Sequence, residues 1–403
     1  MRKPKPKLRP LAVATVVICL LSALVSAPAA GASADVRLYL PEPTGPYPTG
    51  TTRLHLVDEK RTDDLAPTPR DRELMVQLWY PAVPVGTKAP YAPTHEAAGL
   101  QEYYPVPAGG FSEAVTHSRA NAPAIPGRYP VVLMYHGLCA ARTDTTAINE
   151  ELASRGFVVV AIGSTYEAWK VEFPGGRVAS TSDPEFCGAA SGDIESPKNL
   201  ALLNKLQRVR VGDVSFVLDE LERRPRELPR FLGRSLALDE VGIFGHSMGG
   251  ATAAWATAAD KRIRAGANLD GLFVGPVRKT GLKKPFLIMA SEYHHTTLPD
   301  PTWADVLPKL DGWHRWLRLR QAGHYRFVDL GGSAEQWNLR ATMGPDAWQA
   351  NFGDIDDHRS QQIVIRYTTA FFERFLKGQR EPLLDKPSAK YPEVEFRATS
   401  SAG

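Results

Sequence analysis

Ser247 sits in Gly245-His246-Ser247-Met248-Gly249-Gly250, a GxSxG run between an apolar stretch at 241–244 and a small-residue stretch at 248–259. A strand that turns at once into a helix holds its central serine in strained backbone, and glycine two residues to either side lets the two elements approach. The hydroxyl then stands alone at the end of the sheet. The helix behind it offers the N–H of Met248 and the positive end of its dipole to an oxyanion. Such a serine is a nucleophile for acyl transfer, provided that a base and an acid are brought to it.

Among ten histidines, His324 has the position a base needs. It follows the apolar stretch 317–320 through Gln321-Ala322-Gly323, late in the chain, where the order serine, acid, histidine of α/β hydrolases puts it. His246 neighbours the serine and reads as a packing or hydrogen-bonding group, and His136, beside Gly137, shapes its own loop. His55, His95 and His117 come too early. Two residues compete as the acid that fixes the imidazole tautomer. Asp270 ends the stretch 265–269 and Glu292 follows the next one; Asp300, Asp305 and Asp311 are weaker rivals. The loop His136-Gly137-Leu138 ends the first parallel strand, so the N–H of Leu138 is the candidate for a second oxyanion donor beside Met248. Cys139 and Cys187 fit either a disulfide or two separate thiols. Two cysteines without clustered histidines make a poor zinc site, and the side chains of adjacent His294 and His295 diverge. No metal and no organic cofactor is expected.

Positioning these residues takes a regular scaffold. Apolar or β-branched stretches at 51–57, 73–80, 131–135, 157–162, 241–244, 265–269, 286–290 and 317–320 read as strands. Helical spacing predicts helices over 144–155, 199–222, 248–259 and 360–376, the last with Ile363, Tyr367, Phe371 and Phe375 on one face. Strands alternating with helices predict an α/β fold, a mostly parallel central sheet with helices on both faces. Residues 81–126 show little periodicity and read as one long loop, whose Tyr103, Tyr104 and Phe111 either pack or line the site. There is no internal repeat or linker, so 35–403 is expected to form one catalytic domain.

Residues 1–34 hold Arg2, Lys3, Lys5, Lys7 and Arg9 ahead of an apolar run, then Ala32-Ser33-Ala34, the order of a secretory signal peptide with an A-x-A cleavage site. Cys19 follows Ile18, where a lipoprotein signal wants a small residue. The five cations exceed the whole formal charge of +4, so the remainder is near neutral and a nucleic-acid partner is not expected. A secreted (extracellular) protein is expected. With 43% hydrophobic and 23% charged residues, disorder is excluded.

Taken in order, Gly45-Pro46-Tyr47, Gly50, Leu78-Trp79-Tyr80-Pro81, Tyr129-Pro130, His136-Gly137-Leu138, Gly156-Phe157, the elbow with Ala251-Thr252, Leu269-Asp270, Ser291-Glu292-Tyr293 and Gly323-His324 with Phe327 and Asp329 resemble the plasma-type platelet-activating factor acetylhydrolases and their bacterial relatives, of the α/β-hydrolase superfamily. The resemblance implies nucleophile Ser247, acid Asp270, base His324 and oxyanion donors Leu138 and Met248. It also implies calcium-independent cleavage of a short or oxidised acyl chain at the second glycerol carbon of a phospholipid. One departure stands out: bacterial relatives tend to carry Asp-His where this chain has Gly163-Ser164, a position expected at the mouth of the site. The reading is therefore a secreted serine esterase for small-molecule or lipid esters, with transient contact to a membrane or lipid surface. A lipase or polyester hydrolase of the same fold would use the same machinery. A binding protein that lost turnover would not need all three of Ser247, Asp270 and His324.

Overall fold

The computed structural model describes residues 36–183, 185–189, 193–293 and 300–398. The signal peptide read over 1–34, and His294 and His295, lie outside the described residues. The chain opens with two antiparallel strands, β1 (Thr49–Thr62) and β2 (Asp71–Pro81). Strand β1 alternates buried and exposed residues beyond Thr52, as a half-covered strand must. A short strand β3 (Lys88–Pro90), helix α1 (Thr94–Tyr103) and strand β4 (Val115–Ala120) follow. The expectation of one irregular loop over 81–126 is thus corrected. The strands are brief, and α1 buries only Glu96, Ala97, Gly99 and Leu100, with no apolar stripe to betray it.

Strand β5 (Tyr129–Tyr135), helix α2 (Thr146–Ser154) and strand β6 (Val158–Gly163) form the predicted βαβ unit. Every residue of β5 and β6 is buried, which is why both read as unbroken apolar runs. A hairpin of β7 (Lys170–Glu172) and β8 (Val178–Ser180) and a one-turn helix α3 (Glu185–Gly188) lead to helix α4 (Pro197–Arg223). Ser196 caps α4 by accepting from Asn199 N–H, and Arg224 ends it in left-handed backbone. After a short helix α5 (Leu232–Ser235) come strand β9 (Leu236–His246), helix α6 (Met248–Ala259), and strands β10 (Ile263–Leu269), β11 (Phe286–Ser291) and β12 (His314–Leu319). The closing helix, Asp357–Lys377, and strand β13 (Val394–Arg397) complete the scaffold.

Among the described residues eleven strands make one sheet in the order β13-β12-β11-β10-β9-β5-β6-β2-β1-β4-β3. The run from β12 through β6 is parallel throughout. On one face, Val214, Val217, Leu218 and Leu221 of α4 pack with Val131, Leu133 and Ile243; on the other, Ile363, Tyr367, Phe371 and Phe372 of the closing helix pack with Val132, Met134 and Phe244. This is the α/β architecture anticipated from the pattern, a mostly parallel central sheet with helices on both faces, and it agrees with the α/β-hydrolase fold that the resemblance implies. No described helix is long and apolar enough to cross a membrane.

Candidate functional site

Ser247 occupies the junction of β9 and α6 with φ +55° and ψ −123°, a conformation few L-residues adopt. The flanking glycines are required: a Cβ on Gly249 would lie 1.9 Å from Tyr135 O, and one on Gly245 would lie 2.3 Å from the carbonyl carbon of Gly249. The elbow is pinned to the neighbouring strand, Ser247 N–H donating to Leu269 O at 2.9 Å. Gly250 N–H donates back to Ser247 O at 2.9 Å, which starts α6. The N–H of Met248, at the first helical position, has no carbonyl of its own helix to bond.

Parallel pairing of β9 with β10 and of β10 with β11 brings the ends of three strands together. Asp270 follows β10 at φ +54° and is 1% exposed. Its Oδ1 accepts from Ser291 N–H at 2.6 Å, and its Oδ2 accepts from Nδ1 of His324 at 2.6 Å. A carboxylate can only accept, so Nδ1 of His324 carries a hydrogen and the neutral ring keeps its lone pair on Nε2. His324 begins a 3-10 turn, His324–Phe327. The ring of His246 lies 4.4 Å from that of His324, and its Nε2 donates to the His324 carbonyl at 3.0 Å, so His246 steadies the turn.

The rival acids are engaged elsewhere. Glu292 accepts from Gln321 N–H at 2.5 Å, Asp305 from the Arg278 guanidinium at 2.6 Å, and Asp300 from Thr302 N–H at 2.9 Å, while Asp311 is exposed. His55 and His95 face Glu73 and Glu172, and His117 faces the carbonyl of Leu40.

The loop after β5 passes beside the serine: a Cβ on Gly137 would lie 3.5 Å from that of Ser247. His136 shapes this loop as expected. Its Nδ1 donates to Gly137 O at 2.6 Å and its Nε2 accepts from Ser164 N–H at 3.0 Å. Burial, aided by the nearby Arg210 charge, pushes the His136 pKa down to about 4, so the ring is neutral near pH 7. Ser164 is fully buried, so the departure at Gly163-Ser164 bears on the loop from beneath and does not line an open mouth.

Cys139 comes next, at φ +57°, and is bridged to Cys187 of α3. The bridge answers the question that spacing left open. Together with Trp169 N–H donating to Cys139 O at 3.0 Å, it fastens the loop to the segment that carries β7 and β8. The cross-link spans a sequence separation of 48, worth roughly 4 kcal/mol in a chain-entropy account. Reduction, or the paired change Cys139→Ser/Cys187→Ser, is expected to lower Tm by roughly 5 °C. Calorimetry checks this, and an unchanged Tm would show that the bridge adds nothing to stability.

Beside His324, aromatic rings form a continuous wall. Tyr325 stands against Tyr104 at 5.7 Å, Tyr104 against Tyr103 at 4.8 Å, and Tyr103 against Trp169 at 5.3 Å. Tyr104 and Phe111 are buried packing residues; Tyr103 and Trp169 are partly exposed. Two buried acids brace the turn from behind. Asp329 accepts from the N–H groups of Thr146 and Ala147 at the start of α2, at 2.7 and 3.1 Å, and its own N–H donates to Asp144 O. Asp144 accepts from Ala141 N–H, and burial pushes its pKa up to about 7. A raised carboxyl pKa favours the folded state most at low pH, and that contribution declines as pH rises from about 4 to about 7. The Tm advantage of the parent over Asp144→Asn is therefore expected to shrink across that interval; a difference independent of pH would refute the assignment.

The sequence pointed to Ser247, Asp270, His324, Leu138 and Met248. It gave no sign that Arg210 and Glu167 form a fully buried pair, because a charge in a long helix, like one in a turn, reads as solvated.

The family model described as platelet-activating factor acetylhydrolase, isoform II, matches residues 32–167 and 199–383. A probable 1-alkyl-2-acetylglycerophosphocholine esterase from Arthroderma benhamiae is 28% identical over 390 residues, covering 89% of this chain and 93% of its own length. The platelet-activating factor acetylhydrolase of Bos taurus is 28% identical over 67% of this chain and 63% of its own. Among solved structures, a ferulic acid esterase from Streptomyces cinnamoneus superposes with a TM-score of 0.75 at 34% identity, over 88% of this chain and 98% of that one. An elbow serine on this scaffold, matched along most of the chain by esterases, makes the protein a carboxylic ester hydrolase belonging to the platelet-activating factor acetylhydrolase, isoform II, family.

Proposed function

We propose that the protein is an exported serine esterase, with residues 35–403 as one catalytic domain once 1–34 are removed, and that it cleaves short acyl esters, foremost the acetyl or short acyl chain at the second glycerol carbon of a phospholipid. His324 Nε2 takes the proton of Ser247 as its oxygen attacks the ester carbonyl. The N–H groups of Leu138 and Met248 receive the negative charge of the tetrahedral intermediate. Asp270 holds the imidazole tautomer and balances the imidazolium, which then protonates the leaving alcohol. Water, deprotonated by His324, releases the acyl group and restores the serine. The observation carrying this reading is the 2.6 Å bond from His324 to a buried Asp270 at the strand ends where Ser247 turns.

A second substrate reading is favoured by one observation, the 34% identity to a ferulic acid esterase, and the wall of Tyr103, Trp169 and Tyr325 would suit a planar aromatic acyl group. The test is a panel: acyl esters of rising chain length, a choline phospholipid with acetyl or palmitoyl at the second carbon, and methyl ferulate, with Ser247 mapped by fluorophosphonate. Preference for the acetyl phospholipid supports the first reading, and preference for the ferulate the second. A long-chain triglyceride completes the panel, and equal or better turnover of it rejects both in favour of a lipase.

A further inference from the structure

Arg210 of α4 and Glu167 after β6 are both completely buried and form an ion pair. Burying two charges costs several kcal/mol each, and apolar residues of similar size often serve stability as well or better, so stability alone does not explain them. What the guanidinium does beyond pairing is specific. Its Nε donates to Glu167 Oε2 at 2.8 Å, its Nη1 to His136 O at 2.8 Å and its Nη2 to Gly137 O at 3.2 Å. Nη1 also reaches Thr252 Oγ1 of α6 at 3.5 Å, and Nη2 makes the second bond to Glu167.

Successive carbonyls of an extended strand point to opposite sides. Here two successive carbonyls converge on one planar fork, so the backbone must leave β5 in a bend. In a trans peptide the N–H lies opposite the carbonyl oxygen. With His136 O and Gly137 O both directed at Arg210, the N–H groups of Gly137 and Leu138 are turned away from it, on the side opposite the ion pair. Gly137 itself runs beside the Cβ of Ser247.

We propose that Arg210 is a positioning residue for the reaction: by gripping the carbonyls of His136 and Gly137 it aims the Leu138 N–H at the developing oxyanion, and Glu167 fixes the plane of the fork. This deepens the proposed function and rests on Leu138 being an oxyanion donor. Lysine cannot substitute, because a single ammonium does not reproduce a planar fork serving a carboxylate and two carbonyls.

The test uses the full chain with p-nitrophenyl acetate, an alkylboronic acid that forms a tetrahedral anionic adduct with an active serine, and a non-hydrolysable ether analogue of the ester. Arg210→Lys keeps the charge beside Glu167, and Arg210→Met/Glu167→Leu removes the pair without leaving a lone buried charge. In both, kcat per folded molecule is expected to fall by about 10 to 100-fold, as misplacement of one stabilising group by about 1 Å would cause. Boronate affinity should fall in parallel, while KM and ether affinity stay within about threefold. A lowered Tm with kcat per folded molecule and boronate affinity unchanged in either variant overturns the inference, since the pair would then be structural only. Equal losses in boronate and ether affinity overturn it as well. If the parent itself fails to bind boronate, or Ser247→Ala retains its turnover, the serine esterase reading fails first and takes the inference with it.

Discussion

Ser247→Ala is expected to lower kcat for a short-chain ester by about 10⁴ to 10⁶-fold while leaving the protein folded. The substitution removes one oxygen from a partly exposed position, and the bonds that hold the elbow, from Ser247 N–H to Leu269 and from Gly250 N–H to the Ser247 carbonyl, use backbone atoms only. Alanine keeps both. Residual turnover would come from water attacking an ester still bound near the helix start and polarised by the amides. Steady-state kinetics with thermal melting checks the point, and activity within tenfold of the parent would remove Ser247 from the chemistry.

Asp270→Asn should cost about 10⁴-fold in kcat with little change in KM. The carboxylate accepts from Ser291 N–H through Oδ1 and from His324 Nδ1 through Oδ2. With the asparagine oxygen kept on Ser291, the amide NH₂ faces the imidazole and the ring must turn its lone pair toward Nδ1. Nε2 then carries hydrogen and cannot take the serine proton. Glu292→Gln offers the contrast: its carboxylate accepts from Gln321 N–H, the amide oxygen can do the same, and kcat is expected to stay within about threefold. Steady-state kinetics of the two variants beside the parent checks the assignment. Equal losses from the two variants would leave the acid unassigned.

These two acids show where a linear reading stops. Each follows a strand of the parallel sheet, so spacing alone favoured Asp270 only slightly, and it was the resemblance to a family that implied Asp270 outright. What separates them in space is direction: left-handed backbone at Asp270 turns its side chain back to Ser291 and His324, while Glu292 turns to Gln321. The elbow was legible because its demands are local, two glycines and a serine within five residues between a strand and a helix. The long strands and the closing helix were legible through periodicity. Helix α1 was not, since its buried side is a mixture of Glu96, Ala97, Gly99 and Leu100 without an apolar stripe, and neither was the disulfide, whose partners lie 48 positions apart. Arg210 shows the same limit, because burial of a guanidinium depends on what the rest of the chain packs over it.

The bridge from Cys139 to Cys187 has a practical corollary for anyone making the protein. In a host compartment that keeps thiols reduced, the polypeptide can complete its sheet and its elbow yet lack the covalent strut beside Leu138. Batches of equal purity would then differ in specific activity according to their oxidation history, and export or refolding under air, rather than further chromatography, would bring them into line.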